Sequence, residues 1–361
     1  MDTKESEPAH FVLRPFRALR LAHSHVGDPM ANRIFARPYR AVPARLLDWR
    51  NKRHLKLDSR PAIYVHEYTS AGVSIRGLVG TLDLAGTDES VIPHEGVRDD
   101  QVRQLAERME EMSLNPAPIM LLHKGPQAVR DLLSETTAGE PQLVYTDRGD
   151  QLQRVWRITD PESIATLTSH FAATRALIAD GHHRFAAARS LDAKHPDTGW
   201  SRTLVMLIDE LDTPLQLCAI HRTIRRFGLA SVEEHARTSG DHFQRHASSH
   251  QALAKLRDSL VLHDGDRWAT LTPTHADRLL VAWLHEELMP AWSVGEDRLL
   301  FHHSASAAID RAGLGLSVLL PAPTFEQVDR SARLGQLLPQ KATSFQPKPH
   351  LGVLMRELRD E

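Results

Sequence analysis

An apolar run, Ala176-Leu177-Ile178-Ala179, leads straight into Asp180-Gly181-His182-His183-Arg184-Phe185 and then Ala186-Ala187-Ala188-Arg189. This stretch constrains the fold more tightly than any other. The run reads as a strand, Asp-Gly as a turn, and the alanine-rich segment as a helix. A helix start leaves N–H groups without intrahelical partners and carries the positive end of the dipole. Such a place suits an anion, above all a phosphate. Gly181 lets the backbone approach it closely, and the Arg184 fork matches phosphate oxygens. His182 and His183 add donors. Asp180 would repel a bare phosphate, so it makes sense beside a metal ion or an amine. A capped helix start with surface histidines would explain a single His at a helix end. It does not explain so tight a cluster of ionisable groups, which costs helix stability.

Two further segments carry chemistry. Ile92-Pro93-His94-Glu95 precedes a helical stretch. Phosphorylating a hydroxyl requires something to hold it in line and accept its proton. A carboxylate within hydrogen-bond reach can do so, which makes Glu95 the general-base candidate. Leu338-Pro339-Gln340-Lys341-Ala342-Thr343-Ser344 offers a cation and two hydroxyls in a Pro-bounded loop. His221-Arg222 ends a strand and can face the same site. Other patterns are set aside. The single cysteine, Cys218, permits no intrachain disulfide and reads as a small core residue. His285-Glu286 and His302-His303 lack a His-Glu-x-x-His spacing, and among 22 histidines chance pairs are expected. Gly313-Leu314-Gly315 is not a dinucleotide fingerprint, and neither a Walker loop nor a Gly-x-Ser-x-Gly elbow occurs.

These residues carry a resemblance. Ile178–Phe185 resembles the phosphate-binding motif of the ParB and sulfiredoxin-like superfamily, and within it that of free serine kinases, which phosphorylate the amino acid serine. Pro93-His94-Glu95 resembles their upstream Pro-His-Glu, and Leu338–Ser344 their C-terminal Pro-Lys-Thr-Thr. That likeness rests on three short motifs and their order. Nearly the whole chain resembles one bacterial family, the domain of unknown function numbered one thousand and fifteen. Phe16-Arg17-Ala18-Leu19-Arg20 and Phe345-Gln346-Pro347-Lys348-Pro349 fit that family as well. The resemblance implies a kinase that takes ATP or ADP, with Mg²⁺ on the phosphates, and makes O-phosphoserine from free L-serine. Gly181, His182, His183 and Arg184 would hold the phosphates. Asp180 would hold the metal or the substrate amine, and Glu95 would deprotonate the hydroxyl. His94, Lys341, Thr343 and Ser344 would contact the substrate.

The chain departs from the kinases at Gln340 and lacks the arginine found after their threonine pair. Pro38-Tyr39-Arg40 replaces the family's Pro-Tyr-Asp, and Val97 a threonine. The departures bear more on substrate identity than on phosphate binding. Two alternative readings remain: a ParB-like DNA-binding module, against which the near-zero net charge and the lack of a basic, aromatic-interleaved stripe argue, and a ParB-like nucleotide switch that hydrolyses slowly and gates a partner. The switch would have the cradle without the amino-acid pocket.

The formal net charge of −2 leaves no general basic surface for nucleic acid or an anionic membrane. Met1–Glu7 is polar without an apolar signal core, and no segment has the apolar length to span a bilayer, so a cytoplasmic protein is expected. The 361 residues suit two domains of ordinary size or one large one, and an α/β fold is expected. Residues 1–225 are expected to form a ParB/sulfiredoxin-like nucleotide-binding domain, with a loose tail to about His10 and an insertion at about 124–175. Residues 226–361 are expected to form a smaller α/β domain whose tail closes on the active site.

Periodicity predicts strands at 62–68 and 74–84 around Ala71-Gly72, then a helix at 99–112 with Val102, Leu105, Ala106 and Met109 on one face. A short strand follows at 119–122. Within the insertion it predicts a helix at 127–134, a hairpin of 142–145 with 151–158, and a helix capped by Asp160 with Pro161 at its first position. Strands at 204–208 and 215–220 follow. A helix-rich stretch is expected from Phe227 to about Leu262, with strands at 268–271 and 278–281 beyond it and a helical segment at 282–287. A strand–helix–strand unit is expected at 298–301, 304–311 and 316–320.

Overall fold

The computed structural model describes residues 11–29, 42–274 and 279–358. The expectations on Met1–His10, Pro38-Tyr39-Arg40 and Arg278 fall outside these residues. The chain is a mixed α/β protein that divides into two compact units. The first holds the residues up to Pro93, Val97–Leu215 and the chain from Pro347 onward; the second holds His94–Gly96 and Gln216–Gln346. The division falls earlier than residue 225, and the last stretch of chain belongs with the first unit.

A nine-stranded mixed sheet organises the first unit. Its order is Val91–Ile92, Ala176–Asp180, Ile119–His123, Arg202–Asp209, Val73–Asp83, Ile63–Ser70, Leu152–Ile158 and Leu143–Thr146, with Leu13–Arg14 pairing to Val73–Asp83. Ala176–Asp180 runs parallel to Val91–Ile92, and Arg202–Asp209 parallel to Ile119–His123; the other pairs are antiparallel. The hairpin at Ala71-Gly72 forms as expected, with both residues at positive φ, which suits a two-residue hairpin turn. Alternate strand residues such as Leu78, Leu121, Ile178 and Val205 bury one face of the sheet. Phe171, Ala188 and Leu191 from the helices Pro161–Phe171 and His182–Lys194 join that core. Met109 does so from Asp99–Met112, with Val102 and Leu105 packed behind it as the periodicity predicts. Each such large side chain contributes about 1.5–3 kcal/mol when fully buried.

The segment expected as an insertion is continuous with the main sheet. Leu152–Ile158 pairs along its whole length with Ile63–Ser70, so the hairpin extends the sheet. The Asp160 cap also forms, its carboxylate accepting the Ser163 N–H at 2.8 Å. A smaller antiparallel sheet orders Leu55–Leu57, Ala18–Leu21, Met355–Glu357 and Leu114–Asn115. It ties the Phe16–Arg20 motif to the end of the chain.

The second unit is built on six antiparallel strands in the order His242–His246, Trp268–Thr272, Leu260–His263, Gly315–Leu319, His221–Arg225 and Leu299–His302. Gln216–Ala219 and Thr343–Gln346 form a separate antiparallel ribbon. The expected strand–helix–strand unit near the end is present. Two expectations are corrected. The stretch from Phe227 to Leu262 contains two strands as well as helices; His242–His246 is a largely exposed edge strand whose polar residues give no alternation to read. The strand expected at 278–281 is helical from Leu280, because a short apolar run does not by its pattern distinguish strand from buried helix. Among the described residues no helix is long and apolar enough to cross a membrane.

Candidate functional site

The strand–turn–helix read from Ala176–Arg189 forms as predicted: strand Ala176–Asp180, Gly181 at the N-cap, and helix His182–Lys194. Pairing with Ile119–His123 is regular to Ile178 and then shifts before Asp180. Strict alternation would send Asp180 to the core face that Ile178 occupies; the irregularity re-aims it. Gly181 sits at φ +102°, a conformation that side chains other than glycine rarely adopt. A Cβ there would meet Arg184 Nε and Nη2 at 2.9 Å. No side chain caps this helix and no acidic residue lies in its first turn. Its positive end is therefore not neutralised by the usual local devices.

Asp180 lies beside an amine, and the amine comes from the chain itself. One carboxylate oxygen accepts from Arg184 Nη2 at 2.6 Å, and the other is paired with Lys348 Nζ. Burial pushes the Asp180 carboxyl up, but Arg184 and then Lys348 outweigh it and hold the group below the usual range, so it is ionised. One carboxylate flanked by two cations leaves this corner net positive. His182 is buried, and His183 Nε2 accepts the Arg98 backbone N–H at 3.2 Å. Among the described residues no group of three or more His, Cys, Asp or Glu side chains is placed to hold a metal. With both Asp180 oxygens engaged by cations, the turn as it stands offers no ligand set for a resident Mg²⁺ ion.

Lys348 lies in the Phe345–Pro349 motif, and the structure seats it firmly. Tyr68, fully buried, donates to the Pro347 carbonyl at 2.8 Å. Burial, then the charge on Asp180, push the Tyr68 hydroxyl up, so it stays protonated and donates. Gln151 Nε2 donates to the Lys348 carbonyl at 3.0 Å, and Gln151 Oε1 accepts the His350 N–H at 3.0 Å. Asp147 Oδ2 accepts from His350 Nδ1 at 2.7 Å and from Gln153 Nε2 at 2.8 Å, while Oδ1 accepts the Gly149 and Gln151 N–H groups. Burial raises the Asp147 carboxyl, but His350, Gln153 and the backbone donors bring it below the usual range.

The second unit gathers most of the other candidates. Glu95 forms a parallel bridge with Leu338, closed by Leu338 N–H to the His94 carbonyl at 2.7 Å and Gly96 N–H to the Leu338 carbonyl at 3.1 Å. Its side chain then holds the expected loop. Oε2 accepts the Lys341 N–H at 3.1 Å, and Oε1 accepts both the Thr343 N–H and its hydroxyl at 2.9 Å. The Thr343 hydroxyl has one hydrogen, so His94 Nε2, 2.8 Å away, must carry its own and donate it. The Lys341 ammonium lies 4.4 Å from the centre of the Phe301 ring, within cation–π reach. Thr343 and Ser344 point to opposite faces of their strand. Ser344 Oγ accepts from Gln346 Nε2 at 2.9 Å, away from the Glu95 contacts.

Arg222 also belongs here. It is fully buried, and its Nη2 donates to the Lys341 carbonyl at 3.0 Å while its Nε donates to His285 Nε2 at 3.1 Å. Burial pulls the guanidinium down to about 10, against the attraction of Glu95. Burial, then Arg222, pushes His285 down to about 4, leaving it neutral and able to accept. His221 Nδ1 accepts the Leu320 N–H at 3.1 Å, so that histidine braces its own sheet.

A family model described as "Protein of unknown function (DUF1015)" matches residues 3–292. No curated protein matches. Among solved structures, a free serine kinase in complex with AMP is similar at 14% identity and a TM-score of 0.45, over 76% of this chain and 91% of that one. A conserved hypothetical protein from Pyrococcus furiosus is similar at 16% identity and 0.44, over 78% and 96%. SbnI with a C-terminal truncation from Staphylococcus aureus is similar at 11% and 0.48, over 78% and 90%. Likenesses this distant leave the chemistry to the chain's own residues.

Proposed function

The chain belongs to the DUF1015 family, whose description names no activity, and we propose from its own residues that it transfers a phosphoryl group from a nucleotide, ATP or ADP, to the hydroxyl of free L-serine. The observation that carries this reading is the turn at Asp180–Arg184. An uncapped helix start behind a left-handed glycine is flanked by Arg184 and Lys348, and the one carboxylate there is already neutralised. That is a place for the phosphates of a nucleotide. The order of the Pro-His-Glu, Asp-Gly-His-His-Arg and Pro-Gln-Lys-Ala-Thr segments supports serine as acceptor through the resemblance to free serine kinases.

In this reading the Gly181–Arg184 amides and side chains hold the phosphates, and Mg²⁺ comes as the magnesium complex of the nucleotide. Glu95 holds the acceptor hydroxyl and takes its proton as the serine oxygen bonds to phosphorus. The bond from phosphorus to the bridging oxygen breaks, and the nucleotide leaves with one phosphate fewer. His94, Thr343 and the Lys341 amide hold Glu95 and its loop in one conformation, with Arg222 bracing Lys341. Such rigidity favours catalysis by orientation.

Incubating the protein with ATP or ADP, Mg²⁺ and a pool of amino acids tests the reading. O-phosphoserine is the expected product. Nucleotide hydrolysis that does not depend on serine would refute the kinase and favour a nucleotide switch.

A further inference from the structure

The Pro347–His350 segment is fastened far more firmly than a surface ion pair requires. Four hydrogen bonds hold it: Tyr68 to the Pro347 carbonyl, Gln151 to the Lys348 carbonyl, the His350 N–H to Gln151, and the His350 ring to Asp147. Prolines on both sides stiffen it further. All this fixes the backbone of one lysine whose side chain is about two-fifths exposed and rests on Asp180. Asp180 already has a charged partner in Arg184. Partly exposed ion pairs stabilise a fold by only about 0–1 kcal/mol, so the pairing does not account for the fastening. A lysine is a compact charge on a flexible stem, able to leave a monovalent carboxylate for a more highly charged anion arriving at the same turn.

We propose that Lys348 is a phosphate-binding residue of the Asp180–Arg184 turn, held by Asp180 in this structure and released to the anion on binding, with Asp147 and Gln151 as its positioning residues. This rests on the reading that the turn takes phosphate. Asp180 then serves as a resting place for the ammonium. It keeps the lysine extended toward the turn and gives it up when phosphate oxygens compete.

The test is calorimetric titration of the full chain with ADP, for wild type and for Arg184→Ala, Lys348→Met, Lys348→Arg, Asp180→Asn and the Asp180→Asn/Lys348→Met double variant. Lys348→Met should weaken ADP about ten- to a hundredfold, the scale of a charge-assisted hydrogen bond. Lys348→Arg should keep most of the affinity. The decisive arm is the double variant. If Lys348 binds phosphate, its loss weakens ADP again in the Asp180→Asn background. If Lys348 only serves Asp180, its loss there changes nothing, and the proposal is overturned. A wild type that binds no ADP would overturn the phosphate reading itself and this proposal with it. Binding that falls in Arg184→Ala but is unchanged in Lys348→Met would leave that reading standing and remove Lys348 alone.

Discussion

Asp147 separates the three charged residues of its turn sharply. It is 5% exposed, and its carboxylate accepts four hydrogen bonds, whereas Arg148 and Asp150 are exposed. Consider Asp147→Ala. The Gly149 N–H and the His350 ring reach water, since both residues are at least partly exposed. Gln153 Nε2 keeps one of its two hydrogens on Gln151 Oε1 at 2.8 Å and loses the acceptor of the other, in a residue that is fully buried. The Gln151 N–H, in a residue 1% exposed, is left without its acceptor. Stranding a buried donor costs about 1–3 kcal/mol, and each lost bond to a charge is worth about 1.5–3 kcal/mol before water compensates. The balance is about 3–5 kcal/mol. For a body of this size each kcal/mol moves Tm by roughly 2–4 °C, so Tm should drop by roughly 6–20 °C. Thermal unfolding followed by circular dichroism reads this directly. Arg148→Ala should stay within about 2 °C, as exposed substitutions do, and so should Asp150→Asn, which keeps a residue that tolerates the positive φ of that position. An Asp147→Ala protein that melts with them would refute the network as a source of stability.

Arg184→Ala, in a folded protein, should lose about 1.5–3 kcal/mol of nucleotide affinity, roughly 10- to 150-fold; unchanged affinity by calorimetry would displace the phosphate site from this turn. Glu95→Gln should lower turnover by about 10²–10⁴-fold with nucleotide affinity nearly constant. A Tm matching wild type rules out simple loosening of the Lys341–Thr343 loop, and full transfer activity would remove Glu95 as the base. Burial pushes His66 down to about 4. Its unfolded value is about 6.5, so the unfolded chain binds the proton first. Stability should fall as pH drops from about 6.5 to about 4, more in wild type than in His66→Gln by urea unfolding. Asp147 works lower on the scale: its depressed carboxyl stabilises the fold above the ordinary carboxylate range. The Tm gap between wild type and Asp147→Asn should close as the pH falls from that range to the depressed value of the folded state.

What the sequence determined by itself was local. The turn at Asp180-Gly181, the helix behind it, the Asp160 cap and the Ala71-Gly72 hairpin are settled by backbone sterics and bonds a few residues long, so residue type and spacing suffice. The Arg184 to Asp180 pair spans one helical turn and belongs with them. Periodicity failed where burial was partial or complete, at the exposed His242–His246 edge and at the buried Leu280–Trp283 turn, because only one-sided burial writes an alternation. The site's longer bonds were decided by the tertiary structure alone. Lys348 reaches Asp180 across 168 residues and Thr343 reaches Glu95 across 248. No local energy term links such positions. The sequence could say that Asp180 needs a positive neighbour, but chain closure and sheet pairing chose Lys348.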